Sequence, residues 1–254
     1  MKNIKLVLSY DGTDFCGFQM QKNLRTVASE LDKALSTING KKINFTCSGR
    51  TDTGVHAEGQ VINFYTEKEN MSEFNWICAL NSYLPRDIRV IDASFVPLEF
   101  NARRSTLFRE YQYFIVNEKT ISALWYRYAS LYFYEELDID LLQKYANNLL
   151  GENDFTSFCS VNDKNISKSR FIKKFEISKD KNIVKFRIIG NAFLQHMIRI
   201  IVGAMLELHK EKRPPEDIRK ILLAKDRSLA GPTYYSKGLC FKKVYYTEED
   251  LKLI

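Results

Sequence analysis

The stretch Ala192 to Leu208 is apolar on nearly every face of a helix. Such a helix has no polar side to turn toward water, so it must be buried. Burial needs covering elements, and the flanking sequence supplies them. Phe171, Phe175 and Ile177 alternate with charged residues, and Val184, Phe186 and Ile188 do the same, which is the period of half-buried strands. Leu141, Leu142, Tyr145, Ala146 and Leu149 recur at helical spacing behind a capping Asp138, with Gly151 as the stop. Pro214-Pro215 opens a further helix through Leu223, and Leu239 to Tyr246 reads as a last strand.

The first half repeats the style. Ile4, Leu6 and Leu8 form a first alternating strand, and Asp11-Gly12 turns the chain. Val27, Leu31, Leu35 and Ile38 define a helix capped by Thr26. Strands are expected over Ile43 to Cys47, Gln60 to Tyr65, Ile88 to Val96 and Arg109 to Val116. A second helix runs from Ser72 to Tyr83 and stops before Pro85. The expected fold class is α+β (or mixed α/β) with two related lobes, 1–105 and 106–254. Nothing near the boundary has the composition of a flexible linker.

The 254 residues are 45% hydrophobic and 27% charged, enough for a sizeable core. Lys and Arg number 38 against 31 Asp and Glu, a net charge of +7. That excess fits either a polyanionic partner such as nucleic acid or a mildly basic enzyme. The five cysteines, at 16, 47, 78, 159 and 240, form no C-x-x-C pair. They argue against a disulfide framework or zinc site and for a reducing compartment. With no signal peptide and no apolar run of membrane-spanning length, a cytoplasmic location without membrane attachment is expected.

Several enzyme classes lack their motifs. There is no G-x-x-x-x-G-K-[ST] and no G-x-G-x-x-G to hold a nucleotide. His56, His196 and His209 have no metal-ligand spacing, and there is no G-x-S-x-G elbow. The stretch Gly49-Arg50-Thr51-Asp52-Thr53-Gly54-Val55-His56-Ala57 places one carboxylate beside an arginine in a loop with a glycine toward each end. Beside a cation, Asp52 stays ionised and can act as a nucleophile or stabilise a cationic sugar centre. It can equally cap a turn.

Arg199 lies within the buried-looking helix and needs an anionic partner, Asp52 or an acid such as Glu207, unless it snorkels to the surface. Tyr111 and Tyr113 share one face of a strand with Ile115. They serve either as core or as a platform for a base. Basic clusters at Arg103-Arg104, at Lys164, Lys168, Arg170, Lys173 and Lys174, and at Lys210, Lys212 and Arg213 suit phosphate contacts or a solvated face.

Taken in order, these segments resemble the TruA family of tRNA pseudouridine synthases. Tyr10 to Gln19 resembles Y-D-G-T-x-F-x-G-W-Q, with Phe18 in place of Trp. Thr26 to Leu31 is similar to T-V-Q-x-x-L, and Gly49 to Ala57 to G-R-T-D-A-G-V-H-A, with Thr53 in place of Ala. Asn81 to Ile88 resembles N-x-x-L-P-x-D-I, and Phe100 to Arg103 resembles F-H-A-R, with Asn101 in place of His. Tyr111 to Tyr113 fits Y-x-Y, Gly151 to Phe155 G-x-H-D-F, Phe193 to Arg199 F-L-x-x-M-V-R, and Ala230 to Thr233 A-G-P-T. After Thr233, Tyr234-Tyr235-Ser236 replaces the usual A-P-A, and His209-Lys210 falls where the family often has glycine.

The resemblance implies two lobes around a mixed, largely antiparallel sheet with a catalytic cleft between them. It implies a homodimer that binds tRNA and modifies uridines 38, 39 and 40 of the anticodon stem-loop, with neither cofactor nor metal. Asp52 matches the catalytic aspartate. Arg50 and Arg199 would hold it ionised and oriented, and Arg50 would fill the gap left by the target nucleotide. Tyr111 matches the tyrosine that stacks on the flipped uracil. Two rival readings keep the scaffold: a non-catalytic RNA-binding protein, and an enzyme for another RNA or other tRNA positions. The acid at Asp52 separates the first rival, because a pure binder has no need of it.

Overall fold

The computed structural model describes residues 1–252 as ten strands, six α-helices and short 3₁₀ turns. It divides into two compact units, Met1–Leu107 joined by residues 240–252, and Phe108–Leu239. Each is a helix-backed sheet in which antiparallel pairing dominates, so the class is mixed α/β.

In the first unit, β3 (His56–Thr66) is central. β1 (Lys2–Tyr10) runs antiparallel along one edge of it, and β4 (Ile88–Val96) pairs antiparallel with β1. The other edge of β3 is shared. β10 (Leu239–Tyr245) pairs parallel at His56 and Ala57, and β2 (Phe45–Cys47) pairs antiparallel at Ile62 to Phe64. Alternation in β1 drives Ile4, Leu6, Leu8 and Tyr10 inward. Helices α1 (Val27–Asn39) and α2 (Glu73–Tyr83) supply buried Leu31, Leu35, Trp76 and Leu80. The Trp76 ring meets Phe64 edge-on at 5.2 Å.

In the second unit the strand order is β6-β5-β9-β8-β7. β5 (Phe108–Asn117), β9 (Ile183–Gly190), β8 (Ser169–Asp180) and β7 (Gly151–Asp154) are antiparallel neighbours, and β6 (Ser130–Tyr132) lies parallel to the end of β5. The helices are α3 (Ile139–Asn147), α4 (Met197–Lys210) and α5 (Glu216–Ala224). The expected all-round burial of α4 holds: every residue from Ile200 to Leu206 is buried, and Glu207 is exposed. A short α6 (Glu248–Leu251) follows β10. Among the described residues, no helix is long and apolar enough to cross a membrane.

Thr26, Ser72 and Asp138 cap α1, α2 and α3 through their side chains. Several boundaries differ from the sequence reading; β2, for one, starts at Phe45 rather than Ile43. β3 starts at His56 rather than Gln60, because β1 and β10 both pair with its first residues. α3 ends at Asn147, and Gly151 (φ 83°) instead opens β7. α4 starts at Met197, not Ala192, because a turn closed by Met197 N–H on the Leu194 carbonyl ends in left-handed His196 (φ 62°).

Candidate active site

Asp52 sits at the head of a tight turn closed by Val55 N–H donating to the Asp52 carbonyl at 3.2 Å. Gly54 takes φ 76° in that turn, a conformation that strains any residue with a Cβ. Gly49 needs no such freedom. Its carbonyl accepts from Gln60 Nε2 at 2.9 Å, while Gln60 Oε1 accepts from the Ser48 hydroxyl at 2.7 Å. The fully buried Gln60 thereby fixes the entry to the loop from within β3.

The far side of the loop is held by the segment after β1. Phe18 N–H donates to the Thr51 carbonyl (3.0 Å), and Gly54 N–H donates to the Phe15 carbonyl (3.3 Å). Tyr10 and Thr51 join hydroxyls at 2.8 Å in a buried pocket. Burial pushes the Tyr10 phenol well above its ordinary pKa, so it stays a neutral hydrogen-bonding group. Gly17 (φ 83°) lies so near the loop that a Cβ there would stand 2.9 Å from the Thr51 carbonyl oxygen. A Cβ on Gly12 would overlap the Val55 carbonyl. The matched glycines of both motifs are thus two halves of one backbone clasp.

The clasp is itself anchored. Val27 and Ala28, the first residues of α1, donate their N–H groups to the Gly17 and Phe18 carbonyls at 3.2 and 3.0 Å, which satisfies donors a helix start leaves open. Arg25 makes a two-pronged bond to Asp87 at 2.8 and 2.9 Å and lies 4.1 Å from the Phe15 ring centroid. The Asp87 carboxylate raises the Arg25 pKa further, so the guanidinium stays charged. Gly12 N–H donates to His56 Nδ1 at 3.0 Å. Asp11 Oδ1 lies 3.2 Å from that nitrogen and accepts from the Thr13 N–H and hydroxyl.

On this frame Asp52 is half-buried, Thr51 is buried, and Arg50 is exposed. A half-buried carboxylate on a backbone held from both sides keeps its direction and still reaches a ligand.

Tyr111 and Arg199 belong to the second unit. Tyr111 is 7% exposed on β5, with the Phe193 ring edge-on at 5.2 Å. Tyr113 is no stacking platform. It is fully buried, its hydroxyl lies 2.7 Å from that of Ser130, and it donates to the Tyr235 carbonyl at 2.6 Å. Burial pushes its phenol far up in pKa. Arg199, on the first turn of α4, is half-buried. Its Nε donates to the Tyr234 carbonyl at 2.8 Å while Tyr234 N–H donates back to the Arg199 carbonyl at 3.1 Å. The segment Tyr234-Tyr235, where the sequence departs from A-P-A, therefore holds both Arg199 and Tyr113.

The basic clusters divide. Lys168, Lys174 and Arg213 are paired with Asp163, Glu176 and Asp217. Lys164 and Lys212 are exposed. Arg103 and Arg104 are exposed on a turn that Asn101 Oδ1 caps by accepting both their N–H groups, at 3.1 and 2.9 Å. The clasp residues Tyr10, Gly12, Gly17 and Gln60 are parts of this site that the residues alone did not single out. The first three lie inside the Tyr10 to Gln19 motif, which was their signal.

A family model described as tRNA pseudouridine synthase matches residues 6–103 and 145–247. The chain belongs to the tRNA pseudouridine synthase family. It is 45% identical over 249 residues to the tRNA pseudouridine synthase A of Brachyspira hyodysenteriae, covering 98% of this chain and 100% of that one. It is 41% identical to the protein of that name from Clostridium acetobutylicum (97% and 100% covered). It is 40% identical to that of Francisella tularensis subsp. novicida (99% and 97% covered).

Proposed function

We propose that this chain isomerises uridine to pseudouridine at positions 38, 39 and 40 in the anticodon stem-loop of tRNA, with Asp52 as its catalytic carboxylate. The observation that carries this reading is the Asp52 turn, gripped by backbone bonds from Phe15 and Phe18 and by the Tyr10–Thr51 hydroxyl pair. A turn that serves only as a cap has no need of such support.

Pseudouridine has the atoms of uridine. The C1′–N1 bond breaks, the uracil turns, C1′ bonds to C5, the C5 proton leaves and N1 gains a proton. Nothing is oxidised and no group is lost, so the reaction is an isomerisation. Asp52 either forms a bond to the sugar or base or stabilises the detached sugar while the base turns. Arg50 and Arg199 supply positive charge to the reaction, and Arg50 fills the space vacated by the target nucleotide. Tyr111 stacks on the flipped uracil, its ring backed by Phe193. Unstacking costs a few kcal/mol, which lysine and arginine contacts to phosphates offset. We assign the active form to a cytoplasmic homodimer.

Asp52→Asn tests the assignment. The variant should bind tRNA as well as the parent and form no pseudouridine. Near-normal turnover would end the reading and favour another RNA-directed role. Mapping pseudouridine in tRNA from cells with and without the protein fixes the positions.

A further inference from the structure

A buried carboxylate lies outside the machinery just described. Asp163 sits in the loop between β7 and β8, yet its side chain is 3% exposed. It accepts from Lys168 Nζ at 2.7 Å, from Asn165 N–H at 2.8 Å and from the Asn165 side-chain amide. Its other oxygen, Oδ2, reaches out of the loop to accept the Gln195 N–H at 2.9 Å. The Gln195 carbonyl in turn accepts from Ser160 N–H at 3.0 Å. Both main-chain groups of Gln195 are thus taken by one loop.

Gln195 is a sensitive position to hold. The next residue, His196, is in the left-handed region at φ 62° and has no side-chain capping bond to α4. A non-glycine residue there is strained and persists only where its surroundings enforce it. His196 sets where α4 begins, and its carbonyl accepts the Ile200 N–H at 3.0 Å. Arg199 follows within that first turn, and Phe193, against Tyr111, lies two residues before Gln195. One carboxylate therefore fixes the junction between the residue that backs Tyr111 and the helix turn that bears Arg199.

We propose that Asp163 is a positioning residue, which through the Gln195 N–H sets the 193–199 segment that presents Phe193 and Arg199. This rests on the roles assigned above to Tyr111 and Arg199. The low pKa of Asp163, held down by these bonds against its burial, means the carboxylate is charged throughout the working range.

The test compares the parent with Asp163→Ala and Asp163→Asn by two readouts. Amide hydrogen exchange over 190–200 should quicken in Asp163→Ala while the β5 and β9 amides keep their protection. Steady-state kinetics on tRNA should show kcat down by about tenfold to a hundredfold, the scale of a small misplacement, with KM within about twofold. Asp163→Asn keeps an oxygen for the Gln195 N–H and should recover most of both. Unchanged exchange in Asp163→Ala overturns the proposal, whatever the activity. So does a loss confined to KM, or an Asn variant as impaired as the Ala one. If the parent itself makes no pseudouridine, the functional reading fails, and the exchange result still decides whether Asp163 sets the segment.

Discussion

The hydroxyls of Tyr10 and Thr51 meet at 2.8 Å, both buried, one at the end of the first strand and the other next to Asp52. This contact couples the sheet directly to the loop. Tyr10→Phe removes one oxygen and keeps the ring, leaving the Thr51 hydroxyl buried without that partner. It should lower stability by about 1–3 kcal/mol. Because the Thr51–Asp52 backbone loses a tether, kcat should fall more than KM rises. Urea unfolding and steady-state kinetics check both parts.

Gly17→Ala should be worse for activity than for stability. The new Cβ meets the Thr51 carbonyl at 2.9 Å in a backbone at φ 83°, so the fold is expected to lose more than about 1 kcal/mol. The clash is relieved by moving residues 51–53, which carries Asp52 away from its place. A kcat loss of about tenfold or more, with tRNA affinity retained, is expected from single-turnover assays and filter binding. An alanine variant with parental kcat would show that the close approach does not position Asp52.

Tyr111→Phe separates stacking on the flipped uracil from any part the hydroxyl takes in removing the C5 proton. The ring contact with Phe193 survives the substitution, so tRNA binding should stay within about twofold of the parent, because stacking needs only the π-face. Any fall in kcat then measures what the hydroxyl does to the C5 proton, and a deuterium label at C5 reports that step. Parental rates would leave the hydroxyl no chemical part.

Asp163 also predicts an acid response. Its folded-state pKa lies well below the ordinary carboxylate value: burial alone would raise it, and bonds from Lys168, Gln195 and Asn165 overcome that. A depressed carboxylate contributes stability that is present above its unfolded pKa of about 3.9 and is lost as pH falls through the folded value. The melting-temperature gap between the parent and Asp163→Asn should therefore stay level from pH 7 to about pH 4 and narrow below it. A gap that is already closing at pH 6 would contradict this.

What the sequence made legible follows from locality. Alternation marked β1, β5, β8 and β9, and side-chain caps marked the starts of α1 and α3. β6 and β7, of three and four residues, are too short to show a period and exist because β5 and β8 offer them edges. The apolar run from Ala192 has helical composition, but bonds from a loop some thirty residues earlier hold Gln195 and delay α4 to Met197. Tertiary bonds override local preference there. Arg199 was expected to need an anion, and its Nε is occupied by the Tyr234 carbonyl, a partner no residue type announces. Asp52 was visible as an acid beside an arginine, whereas the clasp was not, because glycines record only what they make room for.

The parallel pairing of β10 with β3 at His56 and Ala57 has a consequence for biosynthesis. The whole of the second unit is translated before that strand leaves the ribosome. Until then the exit of the Asp52 loop borders an open sheet edge, with the His56 and Ala57 backbone awaiting its neighbour. The first unit, although first made, is last completed, and its closure waits on a contact of very high sequence separation, the kind that forms slowly. A nascent chain, or one terminated before Cys240, would thus carry Asp52 without its finished mount.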